Sequence, residues 1–188
     1  MNSDRYLVVI SGPSGSGKDT IVNRLLESRA NTQVAVSATS RAIRPGEKEG
    51  VNYYYHTVEG FKEKIENGEI LEYTCFCGNY YGTPKSEVDS RTKNKITTIL
   101  VIEVEGAQNI KRMYPECTTI FVQPPSYEEL RRRLYARNTD SAEAIEKRLK
   151  RATEEMQYAG SYDFTVINDN LDKCVQEVCD IIDKRQQE

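Results

Sequence analysis

Three glycines and a lysine, set between an apolar run and an amphipathic one, constrain this chain more than any other feature. Tyr6-Leu-Val-Val-Ile-Ser11 is continuously apolar and β-rich, as expected of a strand covered on both faces of a parallel sheet. After Gly12-Pro13-Ser14-Gly15-Ser16-Gly17-Lys18, the residues Ile21, Val22, Leu25 and Leu26 recur with helical spacing. Strand, glycine loop and helix is the context in which backbone N–H groups turn inward around a phosphate. Gly12, Gly15 and Gly17 permit the curl, the helix start adds positive partial charge, and Lys18 can reach the β- and γ-phosphates of a triphosphate such as ATP. An ordinary strand-to-helix turn needs one glycine and no lysine. One position departs from the usual loop: Asp19 stands where Ser or Thr commonly offers a hydroxyl to Mg²⁺, and Thr20 follows one residue later.

Further short strands are expected at Ile99 to Val104, Thr118 to Val122 and Phe164 to Ile167, alternating with helical segments as a parallel α/β sheet requires. From about Ser37 to Val88 the chain is rich in Tyr and Gly and reads as a mixed or antiparallel insertion with a helix near Val58 to Asn67. Ser126 to about Gln157 reads as helical and basic. Ser126 with Glu129 has capping-box spacing, Asp140 with Glu143 is an acidic variant of it, and Ile145, Leu149, Ala152 and Met156 form one apolar stripe. The stripe is read as packing. The tail Lys184 to Glu188 is expected to fray.

At 188 residues the chain suits one α/β domain with insertions. Lys and Arg total 26 against 29 Asp and Glu, a net charge of −3, so no global field draws it to nucleic acid or anionic lipid and any anion site must be local. Without an apolar run near the roughly 20 residues of a membrane span, or an apolar core in Met1 to Tyr6, it reads as cytosolic. Monomer and homo-oligomer are both compatible with it. Cys75, Cys77, Cys117, Cys174 and Cys179 are an odd, irregular set, read as reduced thiols. Cys75 and Cys77 have no second ligand pair at metal spacing, so no protein-bound metal site is expected.

A second anion site is suggested by Arg41 and Arg44, three residues apart beside hydroxyl groups, a pair able to clamp a phosphate. Here the sequence resembles the guanylate kinase family, a branch of the nucleoside monophosphate kinases. The resemblance rests on the glycine loop with its Gly-Lys-X-Thr ending and on Ser37-x-x-x-Arg41-x-x-Arg44-Pro45-Gly46-Glu47, Gly50-x-x-Tyr53 and Gly68-Glu69-x-x-Glu72. Gly78-Asn-Tyr-Tyr-Gly-Thr83, Ile102-Glu-Val-Glu-Gly106, Pro124-Pro-Ser126, Arg137-x-Thr139, Arg148 and Asn168-Asp169 follow in family order. The likeness spans nearly the whole chain.

That resemblance implies phosphoryl transfer from MgATP to GMP or dGMP, giving GDP and ADP. It implies a P-loop NTPase-type parallel sheet flanked by helices (1–36, 89–125 and 158–188), a mixed-sheet GMP-binding insertion (37–88) and a helical lid (126–157). Arg41, Arg44, Tyr53 and Tyr81 would hold the GMP phosphate, Ser37, Glu72 and Thr83 would read guanine, and Glu103 would also belong to the GMP-binding set. Residues 12 to 20 and Asn168 would bind ATP. Guanine presents N1–H and N2–H₂ donors along one edge, which a single carboxylate such as Glu72 can accept together, whereas adenine has an acceptor at N1. Without the resemblance, Glu72 would be read as a solvated surface glutamate. The chain also departs from the family's acid pair before Gly106: Val101 replaces the first acid, Glu103 remains, and Glu105 replaces a usual glutamine.

Arg131, Arg132, Arg133, Arg137, Lys147, Arg148, Lys150 and Arg151 are opposed locally by only Asp140, Glu143 and Glu146. By resemblance, Arg133, Arg137 and Arg148 belong to a lid that neutralises charge on the transferring phosphoryl group, alongside Lys18 and Arg41. The other basic residues are expected to be solvated. Two rivals accompany this reading: a kinase for another phosphorylated acceptor such as ribose 1,5-bisphosphate, and a guanylate-kinase-like interaction domain without catalysis. Glu72, Thr83 and both tyrosines favour guanine over the first, and Lys18 with the lid arginines disfavours the second.

Overall fold

The computed structural model describes residues 3–76, 78–136 and 141–188. A 3-10 turn, Ser3–Tyr6, leads into β1 (Leu7–Ser11), so Tyr6 belongs to the turn and not to the strand that its apolar neighbours suggest. All of β1 is buried. Val8 and Ile10 pack on one side with Ile21 and Leu25 of α1 (Lys18–Ser28), and Leu7 and Val9 pack on the other with Leu100, Ala107 and Ile110. Cover on both faces is why the run has no polar alternation, and each such side chain contributes about 1.5–3 kcal/mol by leaving water.

After β2 (Thr32–Val34) the chain leaves the core. It forms β3 (Ala38–Thr39), β4 (Tyr54–Tyr55), α2 (Val58–Glu66), β5 (Ile70–Phe76), β6 (Asn79–Pro84) and α3 (Lys85–Lys93). These four strands make a sheet of order β4-β3-β6-β5, parallel at β3–β4 and antiparallel at the other two pairings, the mixed sheet expected of the insertion. Thr57 caps α2 by accepting from the Gly60 N–H at 3.0 Å. Glu87 of α3 ties the insertion to the core by accepting from the Val36 N–H at 2.8 Å and the Tyr54 hydroxyl at 2.9 Å while paired to Arg91. A division at 88/89 therefore falls inside a helix.

The chain returns through β7 (Thr97–Val101), α4 (Val104–Met113) and β8 (Thr118–Gln123). The strand expected at Ile99 to Val104 is shifted toward the N-terminus, because Glu103 stands at the entry to α4 and Val104 is already helical. Next come α5 (Tyr127–Ala136), α6 (Ala142–Met156), β9 (Phe164–Ile167) and α7 (Leu171–Gln187). The core sheet has order β2-β7-β1-β8-β9, with every pairing parallel.

Leu130 and Leu134 of α5 form a separate small core with Ile145, Leu149 and Ala152 of α6. The Ser126 hydroxyl accepts from the Glu129 N–H at 3.1 Å, as the capping-box spacing suggests. The cap of α6 is Ser141, which accepts from the Ala144 N–H at 3.3 Å; Asp140, the expected acidic cap, lies outside the described residues. The tail expected to fray instead continues α7 to Gln187, and the Gln186 side chain donates to Thr97 at 2.9 Å. Among the described residues no helix is long and apolar enough to cross a membrane.

Candidate active site

Between β1 and α1 the backbone turns at Gly12, Gly15 and Gly17, all with positive φ. Two of these positions also exclude a side chain by contact. A Cβ on Gly12 would lie 2.2 Å from the Val122 carbonyl oxygen, and one on Gly17 would lie 2.2 Å from the Asn168 amide nitrogen. Asn168, buried at the end of β9, donates to the Ser16 carbonyl at 2.8 Å and so holds the loop from below. Pro13 accepts from the Ser16 N–H at 3.1 Å, while Lys18 folds back to donate to the carbonyls of Gly12 at 2.6 Å and Pro13 at 3.1 Å.

A cavity of about 620 Å³ opens above this loop. Gly12, Ser14, Gly15, Gly17, Lys18 and Asp19 form its floor, Val101 to Glu103 one wall, and Lys147, Arg148 and Arg151 of α6 another. Asp19 lines it, and Asp19 and Thr20 are both exposed in the first turn of α1. Arg133 reaches the loop from α5: it donates to the Asn168 carbonyl at 2.9 Å and to the Ser16 carbonyl at 3.5 Å, and Glu129 pairs with it at 2.8 Å. The Arg132 and Arg133 guanidiniums hold Glu129 well below the usual carboxylate range, at about 2. Arg137 lies outside the described residues.

The mixed sheet carries the remaining residues. Glu72 on β5 is paired in register with Thr83 on β6, and the Thr83 hydroxyl donates to its carboxylate at 2.6 Å. Only 7 % of Glu72 is exposed, so the solvated-surface reading is wrong. Burial pushes its carboxyl above the usual range, and the nearby Glu103 charge adds to the shift while the Thr83 hydrogen bond opposes it. Gly106 of α4 makes the close approach possible, since a Cβ there would lie 2.6 Å from the Glu72 carboxylate. Ser37 immediately precedes β3, where Ala38 pairs with Gly82, and this brings it to the Thr83 end of the sheet.

Arg41 sits over the rings of Tyr53 and Tyr55, 5.5 Å and 5.9 Å from their centroids, and Tyr53 meets Tyr81 edge-on at 6.1 Å. Glu47 grips Arg41 with both oxygens, at 2.9 Å and 3.0 Å, and also accepts from the Tyr55 hydroxyl and the Arg44 N–H. These donors, led by Arg41, lower its carboxyl to about 2. The Arg44 side chain is exposed.

A family model described as guanylate kinase matches residues 4–185. The chain belongs to the guanylate kinase family. It is 43 % identical to the guanylate kinase of Prochlorococcus marinus subsp. pastoris over 182 residues, covering 97 % of this chain and 99 % of that protein. With the guanylate kinase of Lactococcus lactis subsp. lactis it shares 44 % identity over 183 residues, 97 % of this chain and 89 % of the relative. The crystal structure of guanylate kinase from Anaplasma phagocytophilum superimposes with a TM-score of 0.78 at 34 % identity, covering 97 % of this chain and 86 % of that one.

Two site residues escaped the sequence reading although both left a signal. Glu47 closes the turn Arg44-Pro45-Gly46-Glu47, in which Gly46 has φ 87° and the Glu47 N–H donates to the Arg44 carbonyl at 3.1 Å. Pro followed by Gly at the centre of a turn predicts this reversal, and the reversal returns Glu47 to Arg41. Arg151 was expected to be solvated. It instead pairs with Glu103 and, at 2.8 Å, with Glu155. Its spacing of three from Arg148 and four from Glu155 places all three on one helical face, and that face lines the cavity.

Proposed function

We propose that the chain transfers the γ-phosphoryl group of MgATP to the phosphate of GMP or dGMP, giving GDP and ADP. The observation that carries this reading is the buried Glu72, fixed by Thr83 under Gly106 and close enough to feel the charge of Glu103, which lines the cavity above the glycine loop. A carboxylate there accepts the paired donors of guanine, and adenine offers it an acceptor instead. Arg41 and Arg44, with Tyr53 and Tyr81, supply charge and hydroxyl groups for the acceptor phosphate. Glu47 keeps the Arg41 guanidinium oriented before GMP arrives.

On the donor side the backbone N–H groups of residues 12 to 18 and the start of α1 bind phosphate oxygens. Lys18 leaves the Gly12 and Pro13 carbonyls for the β- and γ-phosphates. Arg133 and Asn168 brace the loop from beneath, while Arg148 and Arg137 supply charge from the lid. The GMP phosphate oxygen is already anionic near neutral pH, so positioning and charge stabilisation suffice without a carboxylate base. Asp19 puts carboxylate oxygens along the cavity, hard donors that would suit Mg²⁺ or its waters. When bound, Mg²⁺ would supply neutralisation of the triphosphate charge. Residues 37–88 form the acceptor unit and 126–157 the lid on this reading.

A coupled assay of ADP release with GMP, dGMP, AMP, UMP and ribose 1,5-bisphosphate tests it. Turnover with the two guanine nucleotides is expected. Preference for the ribose bisphosphate, or no turnover with any acceptor, refutes it.

A further inference from the structure

We propose that Arg151 is a positioning residue for phosphoryl transfer, latching the lid helix α6 across the cavity to the start of α4 through Glu103. The proposal rests on the GMP kinase reading above. Its physical basis begins with the two faces of α6. Ile145, Leu149 and Ala152 are buried against α5, which leaves Lys147, Arg148, Arg151 and Glu155 facing the glycine loop. The α5–α6 unit meets the core below the cavity, where Arg133 reaches the Ser16 and Asn168 carbonyls. Across the cavity the Arg151–Glu103 pair makes a second attachment, to α4 on the acceptor side.

Three features suit this pair to a latch. Glu155, one turn further along α6, holds the Arg151 guanidinium at 2.8 Å and sets its direction. Glu103 and Arg151 are each about half exposed, with side-chain exposures of 57 % and 48 %. An ion pair in that setting is weak enough to open in every catalytic cycle. Glu103 also begins the helix whose Gly106 abuts Glu72, so the latch ends on the element that contacts the guanine-reading carboxylate. Pairing with Arg151 offsets the negative charge that Glu103 presents toward Glu72, and this couples lid position to the acceptor pocket.

A double-mutant cycle on the full chain tests the latch. Arg151→Ala and Glu103→Gln are each expected to lower kcat about tenfold, the double variant to lose no more than the worse single one, and Arg151→Lys to recover part of the loss. KM for GMP in Arg151→Ala should stay within about threefold of wild type, because the residue acts through lid position and not on the acceptor. Glu155→Gln removes the same intrahelical pair but keeps Glu103 in reach, and it controls for helix stability. Losses that multiply in the double variant, or an Arg151→Ala kcat within about twofold of wild type, overturn the proposal.

Amide hydrogen exchange of the nucleotide-free protein supplies a readout that needs no turnover. Exchange across 142–156 should be faster in Arg151→Ala and Glu103→Gln alike than in Glu155→Gln, and equal exchange in all three overturns the latch. Active wild type with an unaffected Arg151→Ala defeats the latch alone. Wild type that makes no GDP from GMP defeats the function reading, and the role of the latch in transfer falls with it.

Discussion

The two halves of the cleft are built from different material. On the proposed donor side the binding groups are backbone N–H groups within seven consecutive residues, shaped by three glycines of positive φ. On the proposed acceptor side they are side chains on β5 and β6 and in the segments flanking β3 and β4, brought together by strand register and burial. A backbone site is fixed once its local dihedrals are fixed. A side-chain site exists only when distant segments pack, and its chemistry depends on the buried surroundings that packing creates. The donor half should therefore respond most to loss of charge, and the acceptor half most to loss of matched hydrogen bonds.

The largest expected effect is on the donor side. Lys18→Ala should lower kcat by at least about 100-fold with the fold retained, because a charge on the transferring phosphoryl group is lost. Circular dichroism alongside turnover checks both halves of that statement, and near-normal turnover would remove the donor assignment. Next, Glu72→Gln should lower kcat/KM for GMP by about 10²-fold, near 3 kcal/mol, since an NH₂ then faces a guanine donor. AMP should lose far less. An unchanged GMP:AMP ratio means that Glu72 does not read the base.

The pH dependence of KM sharpens the acceptor half. Burial raises the Glu72 carboxyl, so it protonates on acidification before an ordinary carboxyl does, and KM for GMP should rise as pH falls through that raised value. Linkage sets the sign for stability. Between the ordinary and the raised value the folded state keeps a proton that the unfolded state has released, so this group's contribution to stability falls as pH rises through the window. In Glu72→Gln the Glu72 arm of the KM profile should vanish, leaving the phosphate's own titration. An identical profile in both proteins assigns the arm elsewhere.

The smallest effect is expected at Glu47. Replacing it by Gln removes a charged grip from Arg41 without removing the arginine, so KM for GMP should rise about three- to tenfold with KM for ATP little changed. A fall in KM would mean that Glu47 competes with the phosphate instead of orienting its partner.

Much of the molecule was legible from residue spacing because its causes are local. Continuous burial explains the run at Leu7 to Ser11, the 3.6-residue period explains α1 and α6, and the spacing of Gly12, Gly15, Gly17 and Lys18 explains the loop. Boundaries moved where a residue serves two patterns. Val104 reads as the last of a strand and is the first of α4, and Tyr6 reads as strand but closes a 3-10 turn.

What the sequence determined by itself was the parallel α/β core, the mixed-sheet insertion, the glycine loop and, through ordered motifs, the family. Tertiary structure decided that Glu72 is buried and its carboxyl raised, that Glu47 rather than solvent faces Arg41, and that Arg151 meets Glu103. Those outcomes depend on dielectric and on contacts across the fold. A carboxylate's partner and exposure are set by whatever packs against it, and neither is written in its own neighbours along the chain.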